Sequence, residues 1–368
     1  MARVNAAEHT LLDCHRRKTA ATQATVTQQD NNLTDLQGRR IDYLRVSVTD
    51  RCNYRCTYCM PEDGVEHASR GDVLSFEELV ALVQVFAALG VRRVRITGGE
   101  PTVRKNLVTL VGMVAAIDGI DDIALSTNGH SLAELAVPLL KAGLQRLNVS
   151  VDSLVPKRFA RITRRGDLSQ VLAGLMAAKA AGFKSIKLNA VAINGFNDDE
   201  VASLCDFAWS HGFVPRFIEQ MPMMKGDLFV PGRLMTAAQV RQALLASHAG
   251  SELVPDAATA LGAGPARYWR LQQDNRNEAL PVRRLGLISP ITEHFCDTCN
   301  RVRLSAAGVL HTCLAHDGSV DLRAALHRGG PVAVKTAIVA AVAAKPPSHL
   351  FQLNGTGGPR KSMVQIGG

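Results

Sequence analysis

The chain has 368 residues, of which 46% are hydrophobic and 20% charged, the balance of a soluble globular protein with room for one large α/β domain plus a smaller one, or two ordinary domains. Its formal net charge of +9 suits a nucleic acid, an acidic membrane or a polyphosphate ligand, although a plainly basic surface is the simpler reading of charge alone. The longest apolar run, Ala337–Ala344, is far below the ~18–20 residues that span a bilayer and no signal-peptide core follows the start, so a cytoplasmic protein is expected, whose eight cysteines serve metal or redox chemistry and not a disulfide framework.

Residues 1–38 are polar, contain Arg16-Arg17-Lys18, and are expected to form a mobile extension holding Cys14. Glu8 and Asp13 weaken any organelle-targeting role for it. From about residue 41 strands and helices alternate. Strands are predicted at 43–49, 93–97, 122–126, 146–151, 186–193 and 214–220, and helices at 75–89, 105–117, 131–141, 168–181 and 198–211. Over 75–89, Ser75 and Glu78 form a capping box, Leu79, Leu82, Val83, Phe86 and Leu89 form one apolar stripe, and Gly90 stops the helix. Cys205 falls beside Leu204 and Phe207 on a predicted helix and reads as core.

Strand parity decides the kind of sheet. Leu44, Val46 and Val48 oppose Arg45, Ser47 and Thr49; Val94 and Ile96 oppose Arg93, Arg95 and Thr97. Leu147, Val149 and Val151 oppose Asn148, Ser150 and Asp152, and Ile186 and Leu188 oppose Lys187 and Asn189. A doubly wound sheet would be apolar on both faces. One apolar and one polar, partly cationic face predicts a barrel whose interior holds a polar ligand. Six units are too few to close, so an open α/β barrel is expected over 39–225. Residues 226–368 are expected to form a smaller C-terminal domain: loop over 249–267, strands at 285–289, 301–305 and 309–313, and short helices near 321–327 and 333–345.

Cys52, Cys56 and Cys59 form a C-x3-C-x2-C set just after the first strand. Three thiolates on one loop bind three irons of a [4Fe–4S] cube and leave the fourth open, whereas zinc usually takes four protein ligands. At this motif the chain resembles the radical S-adenosylmethionine superfamily. That resemblance implies a partial (β/α)6 TIM-type barrel and cleavage of S-adenosylmethionine to a 5′-deoxyadenosyl radical. Thr97-Gly98-Gly99-Glu100-Pro101 resembles the element that contacts the methionyl amine, with Glu100 able to accept from an ammonium group, and Ser126–Gly129 and Ser150 fall where such enzymes hold the cofactor. Taken singly, each could be an ordinary turn or cap.

Cys296, Cys299 and Cys313 form a second set, which on spacing alone suits zinc, completed by His294, His311 or His316, as well as iron–sulfur. The surrounding Phe295–Leu304 and Cys313-Leu314, together with Leu44–Cys52 and Arg95–Pro101, closely resemble the GTP 3′,8-cyclase family of molybdenum cofactor biosynthesis. The resemblance covers about residues 40–327 and the final two. It implies a second [4Fe–4S] cluster on these cysteines, whose open iron holds the guanine of GTP. It implies GTP contacts at Arg45, Arg95, Ser126, Lys187, Arg216, Arg301, Val302 and Arg303, and S-adenosylmethionine contacts at Tyr58, Gly99, Ser150 and Met221. It also implies that Gly367-Gly368 reach the active site, on a stretch (354–359) rich enough in glycine to allow it. An electron donor of flavodoxin or ferredoxin type, delivery of product to the cyclic pyranopterin monophosphate synthase, and a homodimer accompany the family. Two rivals are a peptide-modifying radical enzyme with an auxiliary cluster and a zinc-bearing nucleic-acid module. The first usually carries more cysteines, and the second should interleave aromatics with basic residues, where aromatics here are only 5%.

Overall fold

The computed structural model describes residues 32–256, 264–273 and 281–367. Strands β1 (Tyr43–Ser47), β2 (Arg93–Thr97), β3 (Asp122–Thr127), β4 (Arg146–Ser150), β5 (Ser185–Ala192) and β6 (Val214–Glu219) alternate with helices α1 (Phe76–Ala88), α2 (Leu107–Ala115), α3 (Leu132–Lys141), α4 (Pro156–Thr163), α5 (Leu168–Ala181) and α6 (Val201–Ser210). Then follow α7 (Ala237–Ser247), β7 (Ser251–Pro255), β8 (Arg267–Gln273), β9 (Arg284–Ile288), β10 (Arg301–Leu304), β11 (Val309–His311), β12 (Val320–Asp321) and α8 (Leu322–Ala343).

The capping box of α1 forms as its sequence requires: the Glu78 amide donates to Ser75 Oγ (3.1 Å) and the Ser75 amide to Glu78 Oε2 (2.8 Å). Helix α7 was not anticipated, yet Thr236 and Gln239 cap it in the same way. Helix α4 also escaped notice, because its eight residues bury only Phe159, Ile162 and Thr163. Helix α8 joins the two short helices expected there, bent at Gly329 and Gly330 where the backbone leaves helical angles. Strand β7 and the first residue of β8 fall within the stretch 249–267 expected as loop, because their pairing is with each other and with β9, and residues 257–263 lie outside the described residues.

All twelve strands belong to one sheet, in the order β12-β11-β10-β1-β2-β3-β4-β5-β6-β9-β8-β7. Strands β1 to β6 pair in parallel, as six βα units should. Strand β10 then adds in parallel to β1, and β9 to β6, which widens the parallel array to eight strands. The C-terminal part of the chain is thus woven into both edges of the barrel sheet, and Asn32–Gly368 is a single unit.

The strand faces divide as parity requires. Leu44, Val46, Val94, Ile96, Leu147, Val149, Ile186 and Leu188 are buried in the apolar core under the helices. Arg45, Arg95, Ser150, Asn189 and Arg216 face the opposite side, where they line a cavity. Residues 32–38, expected within the mobile extension, instead pack on the barrel. Leu33 is buried, its amide donates to Leu89 O (3.1 Å), and its carbonyl accepts from the Ile41 amide (2.7 Å). Among the described residues no helix is long and apolar enough to cross a membrane.

The last segment of the chain is strapped over the loop that follows β6. The Lys225 amide donates to Pro359 O (2.8 Å), and the Arg360 amide to Asp317 Oδ1 (2.9 Å). Glycines permit this contact: a Cβ at Gly358 would lie 1.6 Å from Pro222 O, and one at Gly226 would lie 2.1 Å from Gly355 O. Gly358→Ala should therefore loosen the strap by about 3 kcal/mol, about a hundredfold in amide exchange over residues 360–367, and leave the barrel amides unchanged. Hydrogen exchange read by mass spectrometry checks this.

Candidate active site

A cavity of about 350 Å³ opens at the C-terminal ends of the parallel strands, and both cysteine sets line it. This is the end of a β/α barrel at which loops carry chemistry. The first set sits on the loop after β1. That loop is held by guanidinium groups on its carbonyls: Arg55 Nη1 donates to Cys52 O (2.7 Å) and Tyr54 O (2.9 Å), and Arg164 Nη1 to Arg55 O (3.1 Å) and Met60 O (3.2 Å). The Arg55 and Thr57 amides donate to Thr163 O (3.0 Å) and Ile162 O (2.9 Å), which ties the loop to the end of α4.

The Gly98-Gly99 pair explains itself here. The Gly99 amide donates to Thr49 O (2.7 Å) and the Glu100 amide to Arg51 O (2.8 Å). A Cβ at Gly99 would lie 2.4 Å from Arg51 O, and one at Gly98 would lie 2.7 Å from Thr49 O. What approaches these glycines is the backbone of the cysteine loop. Glu100 is fully buried and staples β2 to β3: Oε1 accepts from Thr102 Oγ1 (2.6 Å), the Thr102 amide (3.1 Å) and Thr127 Oγ1 (2.7 Å), and Oε2 from the Asn128 amide (2.6 Å). One acceptor position on Oε2 is left for an ammonium group.

The donor set fits an iron cluster. Burial pushes the Cys52 thiol up to about 11 and Cys59 to about 12, and raises Cys56 well above the usual thiol range. Cys52, Asp152 and the neighbouring thiolates add to the rise at Cys56 and Cys59, so the three sulfurs stand close enough to repel when ionised. A cationic cluster removes that cost by binding them as thiolates. In the second set burial raises Cys296, with Cys313 and Cys299 contributing. Burial also acts upward on Cys299, but Arg301 and Lys345 outweigh it and hold that thiol down to about 7. Among the described residues no three His, Cys, Asp or Glu side chains converge as ligands of a single ion do.

The floor of the site is cationic. Arg95 donates through Nε to the Tyr43 hydroxyl and through Nη1 to Ser126 Oγ (3.5 Å). Arg216 donates to Asn189 Oδ1 (2.9 Å) and to Asn148 Oδ1. Burial, then Arg303 and Arg95, push Arg45 well below the usual guanidinium range. Burial and Arg301 bring Arg303 down to about 10. Burial with Arg216, Arg146 and Arg95 brings Lys187 down to about 6. Cations crowded together out of water destabilise one another, and a polyanion among them reverses the sign.

Tyr58, Gly99, Ser126, Ser150, Met221, Arg45, Arg95, Arg216, Arg301 and Arg303 all reach the cavity wall. Lys187 lies deeper, packed 6.0 Å from the Tyr268 ring centre. Gly367 rests against β1 and β2: a Cβ there would lie 3.0 Å from Ser47 Cβ and 3.3 Å from Thr97 Oγ1, and its carbonyl accepts from Arg303 Nη1 (2.6 Å). Gly368 lies outside the described residues. Val302 is not on the cavity wall: it alternates with Arg301 and Arg303 along β10, and its side chain is buried in the apolar core. Asp152 went unnoticed as a site residue. Its carboxylate accepts from the Tyr58 hydroxyl (2.8 Å) and the Val191 amide (2.8 Å), and burial raises it to about 6. Its inward parity, shared with Asn148 and Ser150, was the signal that pointed to it.

A cysteine loop at the mouth of a parallel barrel, clamped by a Gly-Gly-Glu turn, defines a radical S-adenosylmethionine barrel. Residues 46–208 match the Radical SAM superfamily, and residues 214–351 match the family described as Molybdenum Cofactor Synthesis C. The GTP 3′,8-cyclase of Ectopseudomonas mendocina is 48% identical over 87% of this chain and 94% of its own, and that of Hydrogenovibrio crunogenus is 43% identical over 91% and 99%. The crystal structure of Streptococcus suis SuiB bound to S-adenosylmethionine shares the fold at a TM-score of 0.53 and 14% identity, over 76% of this chain and 62% of that one. The chain belongs to the GTP 3′,8-cyclase family.

Gly99→Ala tests the clamp. The added methyl must displace the Arg51 carbonyl, so the loop carrying Cys52, Cys56 and Cys59 shifts with it. Iron bound by the first set after anaerobic reconstitution should fall about tenfold or more, while binding at the second set is retained.

Proposed function

We propose that this chain converts GTP to (8S)-3′,8-cyclo-7,8-dihydroguanosine 5′-triphosphate, the first step of molybdenum cofactor biosynthesis. The observation that carries the reading is one cavity lined by two cysteine sets and floored by buried cations. Cys52, Cys56 and Cys59 would hold one [4Fe–4S] cluster, and Cys296, Cys299 and Cys313 the other. When bound, the first cluster supplies the electron that cleaves S-adenosylmethionine and yields the 5′-deoxyadenosyl radical that takes the ribose C3′ hydrogen.

The protein's part is orientation and shielding. Gly99, Glu100 and Ser150 bound the cofactor end of the cavity, with Tyr58 held by Asp152 and Met221 closing the side. Arg45, Arg95, Arg216, Arg303 and the deeper Lys187 receive the triphosphate, and Ser126 is held beside it by Arg95. Arg301 borders the second set beside Cys299. Gly367, locked between Ser47, Thr97 and Arg303, brings the C-terminus to the same floor. Exclusion of water matters as much as contact, because a primary carbon radical reacts with whatever lies beside it. A flavodoxin- or ferredoxin-type donor, a cyclic pyranopterin monophosphate synthase as recipient, a homodimer and a cytoplasmic setting complete the proposal.

Anaerobically reconstituted protein should carry about eight irons and form 5′-deoxyadenosine only with GTP and reductant present. If no GTP-dependent 5′-deoxyadenosine appears, the reading fails. Cys313→Ser should keep the first cluster and lose cyclisation.

Lys187 adds a pH signature. With its ammonium brought down to about 6, it is largely neutral in the free protein at neutral pH. A triphosphate beside it favours the charged form, so its pKa rises on binding and one proton is taken up. GTP affinity should then fall as pH rises above ~6, by up to about tenfold per pH unit. Calorimetry in buffers of different ionisation enthalpy should show that uptake, and Lys187→Met should abolish it.

A further inference from the structure

Two buried cations stand beside the second cysteine set. Arg39, before β1, donates through Nη1 to the carbonyls of Cys296 (2.9 Å) and Pro347 (2.9 Å), and through Nη2 to Pro346 O (2.7 Å) and Gln37 Oε1 (3.1 Å). Its Nε donates to Asp35 Oδ2 (2.6 Å), and Asp35 Oδ1 accepts from the amides of Gln37 (3.0 Å) and Arg39 (2.9 Å), so the guanidinium is fixed at both ends. Lys345, after α8, is 3% exposed and donates through Nζ to Arg301 O (3.1 Å) and to Thr312 O.

The acceptors have a pattern. The three cysteines come from two separate pieces of chain, the 296–299 turn and the segment after β11. One acceptor is the carbonyl of Cys296 itself, one lies two residues past Cys299, and one directly precedes Cys313. Every cysteine of the set therefore has backbone on or beside it pinned by a buried cation, and both cations are joined through the 345–347 turn. The pairing of β10 with β11 reaches only Arg303 and His311, so it does not by itself fix the 296–299 turn against residue 313.

We propose that Arg39 and Lys345 are positioning residues for the second cluster: together they set the spacing of the backbone that carries Cys296, Cys299 and Cys313. This deepens the proposed function and rests on its assignment of a cluster to those cysteines. It also gives residues 32–41 a task, since Asp35 and Arg39 are what that segment brings to the site.

The test uses the full chain, reconstituted anaerobically with iron and sulfide. Lys345→Met keeps the stem and removes the donors; Arg39→Lys keeps the charge and loses the fork. Asp35→Asn keeps one oxygen to accept from the Gln37 and Arg39 amides and removes the one that accepts from Arg39 Nε. Wild type should show about eight irons and a second-cluster electron paramagnetic resonance signal that shifts with GTP. Lys345→Met and Arg39→Lys should weaken iron binding at the second set about 10–100-fold and abolish the GTP shift. The first cluster's signal, and its shift with S-adenosylmethionine, should persist. Second-cluster iron and GTP shift unchanged from wild type would overturn the inference. So would loss of both clusters in Asp35→Asn, which would make the segment a determinant of the whole fold. A wild type with iron on the first set alone overturns the underlying reading, and this one with it.

Discussion

Cations buried against one another inside the barrel are the constraint on which the structure turns. Arg45, Arg95, Lys187, Arg216 and Arg303 all project from the inner faces of parallel strands, and burial opposes the charge of Arg45, Lys187, Arg216 and Arg303. Their most influential neighbours include one another, with the hydroxyls of Tyr43 and Tyr268 as partial relief. A sheet that carries this load must find its stability on its other face. That face is apolar throughout, and the helices cover it. Amides on the strands, Asn148 and Asn189, take up Arg216 without adding charge, so the guanidinium stays oriented and the site keeps its positive potential for an anion.

The same economy governs the loops. Three close approaches, at Gly99 to Arg51, at Gly226 to Gly355 and at Gly358 to Pro222, bring backbone to backbone where a side chain would not fit. The first fixes the cysteine loop to β2, and the other two fix the C-terminal strap to the loop after β6. Gly367 is delivered to the floor by that strap, with its carbonyl on Arg303. Arg303 holds the Gly367 carbonyl as it would hold an oxygen-rich ligand.

Much of this was legible in the sequence because period-2 alternation reports directly on which side of a strand a residue lies. The six parallel strands and the inward set from Arg45 to Lys187 follow from it, and the Cys52, Cys56 and Cys59 loop follows from its C-x3-C-x2-C spacing. Val302 parts from Arg301 and Arg303, which line the cavity, because the resemblance carries a contiguous motif over whole, although alternate residues of a strand face opposite ways. The joining of β9 and β10 to the barrel edges was not legible, since pairing between strands distant in sequence leaves no local periodicity. Asp35, Arg39 and Lys345 were invisible too. Each bonds to backbone carbonyls or to a near neighbour, and carbonyls carry no residue identity.

The two cysteine sets share a cavity but not an environment. Burial makes the first set costly to ionise, aided by Glu100 at Cys52 and by Cys52 and Asp152 at Cys59, and brings these two thiols to about 11 and 12. In the second, Arg301 and Lys345 overcome burial and hold Cys299 at about 7. Thiolates in the first pocket therefore depend on the metal for their charge, while Cys299 is ionised in part by the protein alone. The difference suits a division of labour. A set surrounded by fixed cations keeps a more positive neighbourhood around whatever it binds, and that neighbourhood is continuous with the guanidinium floor through Arg303. Arg301, Arg303, Arg45 and Arg95 line the cavity together with the second set, whereas the first set has Asp152 beside it.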